Sequence, residues 1–439
     1  MNYIIMIIFF IIQLLSWHLI MQAENGDLAS PASIVIEMSI LSTIILFFYI
    51  GKLNETISLK CIAIIIIALW SFLFGTQIFN SRRTEINSSS TNTINCYSKR
   101  IIVFCLILVF AATILFYREV KKVASMYGYN NSSTYGLLYY YRSATLSGGV
   151  AISSQSKVVG QIVIASYASS YLILNDLVKR IVLKKGTKEI STLILESLVI
   201  VIYILQCILT GGRTQFLYCI ESAMFLYIFY NKKRIENNNA KILNKVLIGA
   251  LFTAVLFFIL GSLTGKTSKL NFTETIFTYI GSPFLAFDKL INKNVAFTNI
   301  YPGSNVFIGP IDLLNRLGFN IEHSAMEGPF VQIGEVSTNI YGSYARYYND
   351  FGLLGMIFIT FFIGVLYKAL YVKIVEDNSS SDLKIVLYVI LSKVLFEFCI
   401  EERFFLSVIS LGTILRIGYI VFFYRLFKLY RFGYENEES

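Results

Sequence analysis

Apolar residues fall along this chain in blocks of roughly twenty, separated by short polar stretches. The blocks run at about 1–23, 31–50, 59–79, 101–117, 157–178, 189–210, 214–231, 244–263, 350–372, 384–400 and 404–424. A block of about twenty apolar residues is the length of helix that crosses a bilayer core. In lipid, a helix also satisfies its own backbone polar groups. The pattern therefore predicts an all-α fold, a polytopic transmembrane helix bundle of about 11–12 spans. Residues 135–155 (YGLLYYYRSATLSGGVAISSQ) supply the twelfth span, or else a helix lying in the interface. One interruption is long: 264–349, expected to be a large, partly helical extracytoplasmic loop within a single integral membrane domain, 1–439. The first block lacks a basic n-region and is too long for a signal h-region, so it reads as a retained helix.

Composition agrees with the pattern. Of 439 residues, 56% are hydrophobic and 15% charged, against about 25% charged in soluble domains. The net charge of +10 comes mostly from short basic clusters beside apolar blocks, which is how orientation is encoded. Nucleic acid is not an expected partner. Lys179, Arg180, Lys184, Lys185 and Lys188 form one cluster; Lys232, Lys233, Arg234, Lys241 and Lys245 a second; Lys368, Lys373 and Lys384 a third; and Arg425, Lys428 and Arg431 a fourth. With these four in the cytoplasm, the turn at 211–213, the 264–349 loop and the turn at Glu401, Glu402 and Arg403 fall outside. The N-terminal half admits two arrangements. Eleven spans put the N-terminus and Arg142 outside. Twelve put the N-terminus, Lys121 and Lys122 inside and Glu24–Asp27 outside, with Arg82, Arg83, Lys99 and Arg100 also outside; the balance tips slightly to twelve. The six cysteines (61, 96, 105, 207, 219 and 399) form no CxxC pair, so neither a disulfide framework nor a zinc site is expected. The stretches 87–95 and 237–239 read as ordinary polar loops.

Chemistry concentrates at the outer face. The long loop interleaves aromatics, glycines and prolines with charge, and long loops on a rigid scaffold are where function gathers. In LTGGRTQFL, residues 209–217, a diglycine permits a tight turn. Arg213 then stands where an outward-facing helix begins, a place that favours an anion. A guanidinium can grip a phosphate with two parallel bonds. Arg142, Arg316 and Arg346 are further outer-face arginines that could clamp a diphosphate. His323 is a candidate general base, with Glu322, Glu327, Glu335 and Asp350 as rival carboxylates. Within the apolar blocks, two ion pairs are expected, Glu196–Arg416 and Glu221–Lys393, because charges at that depth need partners. There is no HExxH, no DxD in the outer loop, and no P-loop or Rossmann pattern, so no metal, cofactor or nucleotide is expected.

These residues resemble the O-antigen polymerase (Wzy) family, which includes oligosaccharide repeat-unit polymerases. LTGGRTQFL is similar to the family's glycine/serine–arginine turn. TNIYGSYARYYNDFGLLGMIFITFFIGVLY, residues 338–367, is similar to its stretch leading from the large outer loop into the next helix. The layout of helices with one large C-terminal-half loop also matches. Together the motifs cover about a tenth of the chain. Arg213, Asn339, Tyr341, Asp350, Gly352 and Gly355 are the positions that carry over. The resemblance implies a glycosyltransferase of the bacterial cytoplasmic (inner) membrane. It would join undecaprenyl-diphosphate-linked oligosaccharide repeat units at the outer face, for O-antigen, capsule or exopolysaccharide. A flippase and a chain-length regulator are the implied working partners. Arg213, with Arg142, Arg316 or Arg346, would bind diphosphate; Asn339 and Tyr341 would contact substrate; and Glu335, Asp350 or His323 would assist the acceptor hydroxyl. The related ligases carry a His–Asn pair where this chain has Thr338–Asn339, which favours polymerase. Gly212 stands where many relatives have serine. Alternatives from other classes are a ligase-type glycan transferase, a lipid-linked oligosaccharide flippase or transporter, and a non-catalytic assembly or sensor protein.

Overall fold

The computed structural model describes residues 2–53, 55–79, 96–130, 133, 136–146, 156–183, 190–232, 245, 248–249, 253–259, 261, 271–292, 295–375 and 381–435. Several expectations fall outside the described residues: those on Arg82, Arg83, Lys184, Lys185, Lys188, Lys233, Arg234 and Lys241, on 87–95 and 237–239, on most of 244–252, and on the loop's first residues, 264–270.

The chain is an all-α polytopic membrane protein. Its helices are α1 (Asn2–Ala23), α2 (Pro31–Ile50), α3 (Leu59–Gln77), α4 (Lys99–Met126), α5 (Leu137–Leu146), α6 (Lys157–Leu183), α7 (Ile190–Leu209), α8 (Thr214–Lys232), α9 (Phe272–Ile276), α10 (Ser282–Ile291), α11 (Ile308–Arg316), α12 (Ser343–Val375), α13 (Asp382–Leu391), α14 (Lys393–Phe396) and α15 (Leu411–Glu435). Residues 253–259 are also helical. Among the described residues, seven helices are long and apolar enough to cross a membrane: α1, α2, α3, α4, α6, α7 and α12. The strands among them are β1 (Val331–Ile333) and β2 (Val336–Thr338), an antiparallel hairpin with Ile333 opposite Val336.

The chain divides into two compact units, interleaved in sequence: Met1–Glu85, Asn271–Ser380 and Leu391–Ile414 form unit 1, and Ile86–Leu270, Ser381–Ile390 and Leu415–Ser439 form unit 2. In unit 1, α3 and α12 cross with their backbones in contact. A Cβ on Gly75 would collide with the Phe361 carbonyl, and one on Gly364 with the Phe72 carbonyl. Lipid gives helices little hydrophobic reason to associate, so bare glycines that admit close approach do that work. Caps fix the helix starts: Ser30 Oγ accepts from Ser33 N at 3.2 Å with Pro31 at the first helical position, and Ser58 Oγ accepts from Cys61 N at 3.2 Å.

Contacts within unit 1 decide which ends share a side. Lys368 Nζ donates to both Glu24 carboxylate oxygens at 2.5 and 2.7 Å, Tyr371 OH donates to Asp27 Oδ2 at 2.7 Å, and Gln77 Nε2 reaches Glu24 at 3.4 Å. At the opposite ends, Ser58 donates through N and Oγ to Asp288. The Glu24–Asp27 turn is therefore on the same side as Lys368, which corrects the twelve-span arrangement that opposed them. In unit 2, Tyr97 N donates to Asp176 Oδ2 at 2.8 Å and Ser156 N to Glu119 Oε1 at 3.0 Å, so the start of α4 meets the end of α6 and the end of α4 meets its start. These contacts match the eleven-span order, with the start of α4 and the basic Lys179–Arg180 end together. The described part of 135–155 is α5, ten residues and about 15 Å long at 1.5 Å per residue.

The last two apolar blocks are not the continuous helices the hydropathy suggests. Block 384–400 breaks at Ser392 between α13 and α14, and block 404–424 opens with a π-helical turn, Phe404–Val408, before α15. Residues from other segments of unit 1 cover the freed backbone. Ser343 N and Oγ donate to the carbonyls of Phe398 and Glu401, each at 3.0 Å. Gly309 of α11 presses without a side chain onto the carbonyls of Phe405 and Ile409. Irregular backbone at such depth is tolerated where protein covers it.

Candidate functional site

In unit 2 the GGR turn is built by its neighbours. Thr210 Oγ1 donates to Cys207 O at 2.7 Å, closing α7, and accepts from Gly212 N at 3.2 Å. Gly211 sits at φ +67°, a region closed to most side chains. One face of α5 is held against α4, with Tyr141 and Ala144 buried among Val120, Val123 and Ala124. That packing carries Arg142 to the turn: its Nη1 donates to Gly211 O at 2.9 Å. A Cβ on Gly211 would meet Arg142 Cβ at 3.3 Å. Arg213, 6% exposed, donates to Phe257 O at 3.4 Å with its guanidinium 4.4 Å from the Phe257 ring. One predicted arginine, Arg142, thus bonds to the glycine turn at the start of α8, and the other, Arg213, follows that turn in sequence with its guanidinium against Phe257; the first turn of α8 holds no acidic residue. Unpaired N–H groups, the helix dipole and two cations all favour an oxyanion there.

In unit 1, Asp350 organises the loop. Its Oδ2 accepts from the backbone N–H groups of Asn305 and Val306 at 2.9 and 3.0 Å, and its Oδ1 from the amides of Asn305 and Asn349 at 2.9 and 3.1 Å. Arg346, 4% exposed, donates to the carbonyls of Asn305 at 3.1 Å and Met326 at 2.6 Å and covers the Phe297 ring at 5.3 Å. Asn305 thereby joins an acid and a base that lie one turn apart on α12. Two residues after Asp350, Gly352 (φ +65°, ψ −165°) interrupts α12. A Cβ on Gly355 would strike the Phe351 side chain that this break brings round.

The other expected residues scatter within unit 1. His323 Nε2 faces Asp312 Oδ1 at 2.9 Å and its Nδ1 faces Ser324 O at 2.8 Å, so both ring nitrogens point at oxygen acceptors. Tyr341 is buried, its OH donating to Pro329 O at 3.0 Å and its ring against Phe297; burial pushes its phenol well up from the usual range. Asn339 is half-buried just after β2. Glu335 is exposed on the two-residue turn of the hairpin, beside Gly334 at φ +56°; a glycine first in such a turn matches the twist of paired strands. Arg316 is exposed at the end of α11. Glu55, near the α2–α3 connection, pairs with Lys289 at 2.6 Å and accepts from Gly334 N at 3.4 Å.

Sequence reading missed two hubs. Asn305 lies in PGSNV, among the glycines and prolines of the loop, where the sequence carries no signal for the bonds it makes. Glu402 was placed in an outer turn, yet it is 1% exposed and accepts from Tyr347 OH at 2.8 Å and from the backbone N–H groups of Phe405 and Leu406, each at 2.9 Å. Burial raises its carboxyl above the usual range, against the opposing pull of those bonds.

The expected Glu196–Arg416 pair is not formed. Glu196 Oε1 instead accepts from Arg180 Nε at 2.9 Å, Arg180 also reaches Asp176 at 3.2 Å, and Lys179 pairs with Asp382 at 2.8 Å. The cationic end of α6 itself supplies the partners, one helical turn and one connection away. Lys393 Nζ donates to Ser407 Oγ at 2.6 Å; it belongs to unit 1 and Glu221 to unit 2.

Among the described residues no group of three or more histidine, cysteine, aspartate and glutamate side chains is placed to hold a metal ion. No family model, curated protein or solved structure matches this chain.

Proposed function

We propose that the protein is a glycosyltransferase that joins lipid-diphosphate-linked oligosaccharide repeat units at the outer face of a bacterial cytoplasmic membrane. One observation supports this most: Arg142 donates to the glycine turn that Arg213 follows directly in sequence, at the start of a helix. A diphosphate leaving group is stabilised by such donors as its charge develops. Arg142 and Arg213 are assigned to the diphosphate. Asp350 and Arg346 are assigned to shaping the loop, since the bonds they make inside it leave little for substrate. Glu335, exposed and without an internal hydrogen bond among the described residues, is our choice of base for the acceptor hydroxyl. His323, with both nitrogens engaged, is second. The O-antigen, capsule or exopolysaccharide product, and the flippase and chain-length regulator that would work beside it, follow from the resemblance.

Glycan profiling of a deletion strain tests the reading. A lost polymerase leaves single repeat units on the acceptor; a lost flippase leaves none outside. Full-length polymer in an Arg213→Ala strain would overturn the assignment of Arg213. The transporter reading has one observation in its favour, the buried Asp176–Arg180–Glu196 network, because ionisable groups inside membrane helices often mark ion paths. The same profile separates the two.

A further inference from the structure

Arg416 lies on the inward face of α15, in line with buried Ile420, Phe423 and Phe427, while Ile414, Phe422, Leu426 and Leu429 form the exposed stripe. Its guanidinium stands 4.8 Å from the Tyr167 ring centroid. It makes no hydrogen bond or ion pair among the described residues. Glu196 pairs with Arg180 instead, and Glu221 has an interaction of its own. Tyr167 stacks on Tyr171 at 4.3 Å, and both stand edge-on to Tyr203 at 6.2 and 6.0 Å. Beside Tyr203 on α7 is Gln206, 2% exposed. Its Oε1 accepts from Ser166 Oγ at 2.6 Å, while its Nε2 has no hydrogen-bond partner. One turn along α6 from Ser166, the Ser170 hydroxyl is 1% exposed and also without a partner. The Arg416 charge also reaches the Cys207 sulfur, next to Gln206.

These groups are all in unit 2 and all can donate. None brings a negative charge. A half-buried guanidinium without a counter-charge and a buried amide without a partner are both unfavourable, and one occupant relieves both: a group with several acceptor oxygens and a negative charge. The flat guanidinium fork fits such a group with two parallel bonds, and the tyrosine rings suit a neighbouring apolar or ring-shaped portion.

We propose that Arg416, Gln206 and Ser170 form a binding site for a phosphate-type oxyanion within the helices of unit 2. The site is separate from the Arg142–Arg213 turn and does not depend on the protein being a polymerase. Such an anion could come from a lipid head group or from solution. The test is native mass spectrometry of the purified full-length protein in a nonionic detergent, titrated with monododecyl phosphate or with inorganic phosphate. The wild type should bind one copy more than Arg416→Gln or Gln206→Leu, with affinity at this site weakened roughly tenfold or more in each variant. Binding of the alkyl phosphate alone assigns a lipid source; equal binding of inorganic phosphate assigns a soluble one. Should Arg416→Gln fail to fold, as judged by gel filtration, Gln206→Leu keeps the charge and gives the same reading. Unchanged stoichiometry in a folded variant, or no bound copy of either probe in the wild type, overturns the site and leaves Arg416 satisfied by Tyr167 alone.

Discussion

Arg142 Nη1 and the carbonyl oxygen of Gly211 are joined by a 2.9 Å hydrogen bond across sixty-nine positions of sequence. The bond needs Gly211 at φ +67° and no side chain between the two residues. Replacing Gly211 with alanine should therefore cost about 1–2 kcal/mol in backbone strain and displace Arg142. In cells the expected result is shortened polymer at near-normal protein level, read on a glycan gel beside an immunoblot. Arg142→Lys should behave similarly, because a lysine cannot reproduce the fork. Full-length polymer in both strains would sink the assignment of Arg142.

Lys368 and Glu24 form a buried ion pair, 2% and 5% exposed. Removing one partner, as in Lys368→Met, leaves a buried charge alone and should cost about 3–5 kcal/mol. The double variant Lys368→Met/Glu24→Gln should recover much of that loss. Thermal melts followed by fluorescence-detected gel filtration read the difference; equal loss in single and double variants would count against the pair.

The same pair fixes sidedness. A cysteine introduced at Gly26 should react with an impermeant thiol reagent from the side opposite to one introduced at exposed Arg316. Labelling of both from one side would show that the order of spans is wrong.

Gly75 and Gly364 should not tolerate larger residues. Alanine at either would meet a carbonyl of the other helix, and overpacking of this kind costs about 1–3 kcal/mol. Leucine should abolish the folded peak on gel filtration. Wild-type melting of Gly364→Leu would disprove the close crossing of α3 and α12.

Glu402 sets a pH dependence. Its carboxyl is raised above the ordinary 4.5 by burial, so the folded state holds the proton to higher pH than the unfolded state does. Its contribution to stability is present below about 4.5 and is lost as pH rises through the folded value. Arg346, Tyr347 and the backbone N–H groups of Phe405 and Leu406 act on the same titration. The melting temperature of Glu402→Gln should fall less than that of wild type as pH rises from acid to neutral. Parallel curves would exclude Glu402 as the titrating group.

The membrane class was legible because about twenty apolar residues in a row has few other uses, and the apolar blocks beginning at 31 and 59 coincide with the helix starts at Pro31 and Leu59. What stayed hidden depended on contacts between distant segments. Hydropathy could not show that block 384–400 breaks at Ser392, because a serine and a lysine barely change its average. It could not choose between eleven and twelve spans either. That choice rested on Glu24 meeting Lys368, 344 positions away. Arg213 and Arg142 were both found from their chemistry, one by motif and one by expected side. Their shared turn could not be read, because nothing in α5 says which helix end it will pack beside. Arg346 and Asp350 look like substrate groups in sequence; only their carbonyl and N–H partners reveal their work on the loop.

Gly352 divides α12 in two. Below it, residues 353–375 of α12 rise about 34 Å, close to the roughly 30 Å hydrocarbon thickness. Above it stand Arg346 and Asp350, with the straps they hold. A thicker or thinner bilayer is met by tilting of a spanning helix, and here that tilt would be taken up at a glycine, leaving the loop's internal geometry unaltered. The fold of the loop would thus stay constant while the membrane's lipid chains change length with growth temperature.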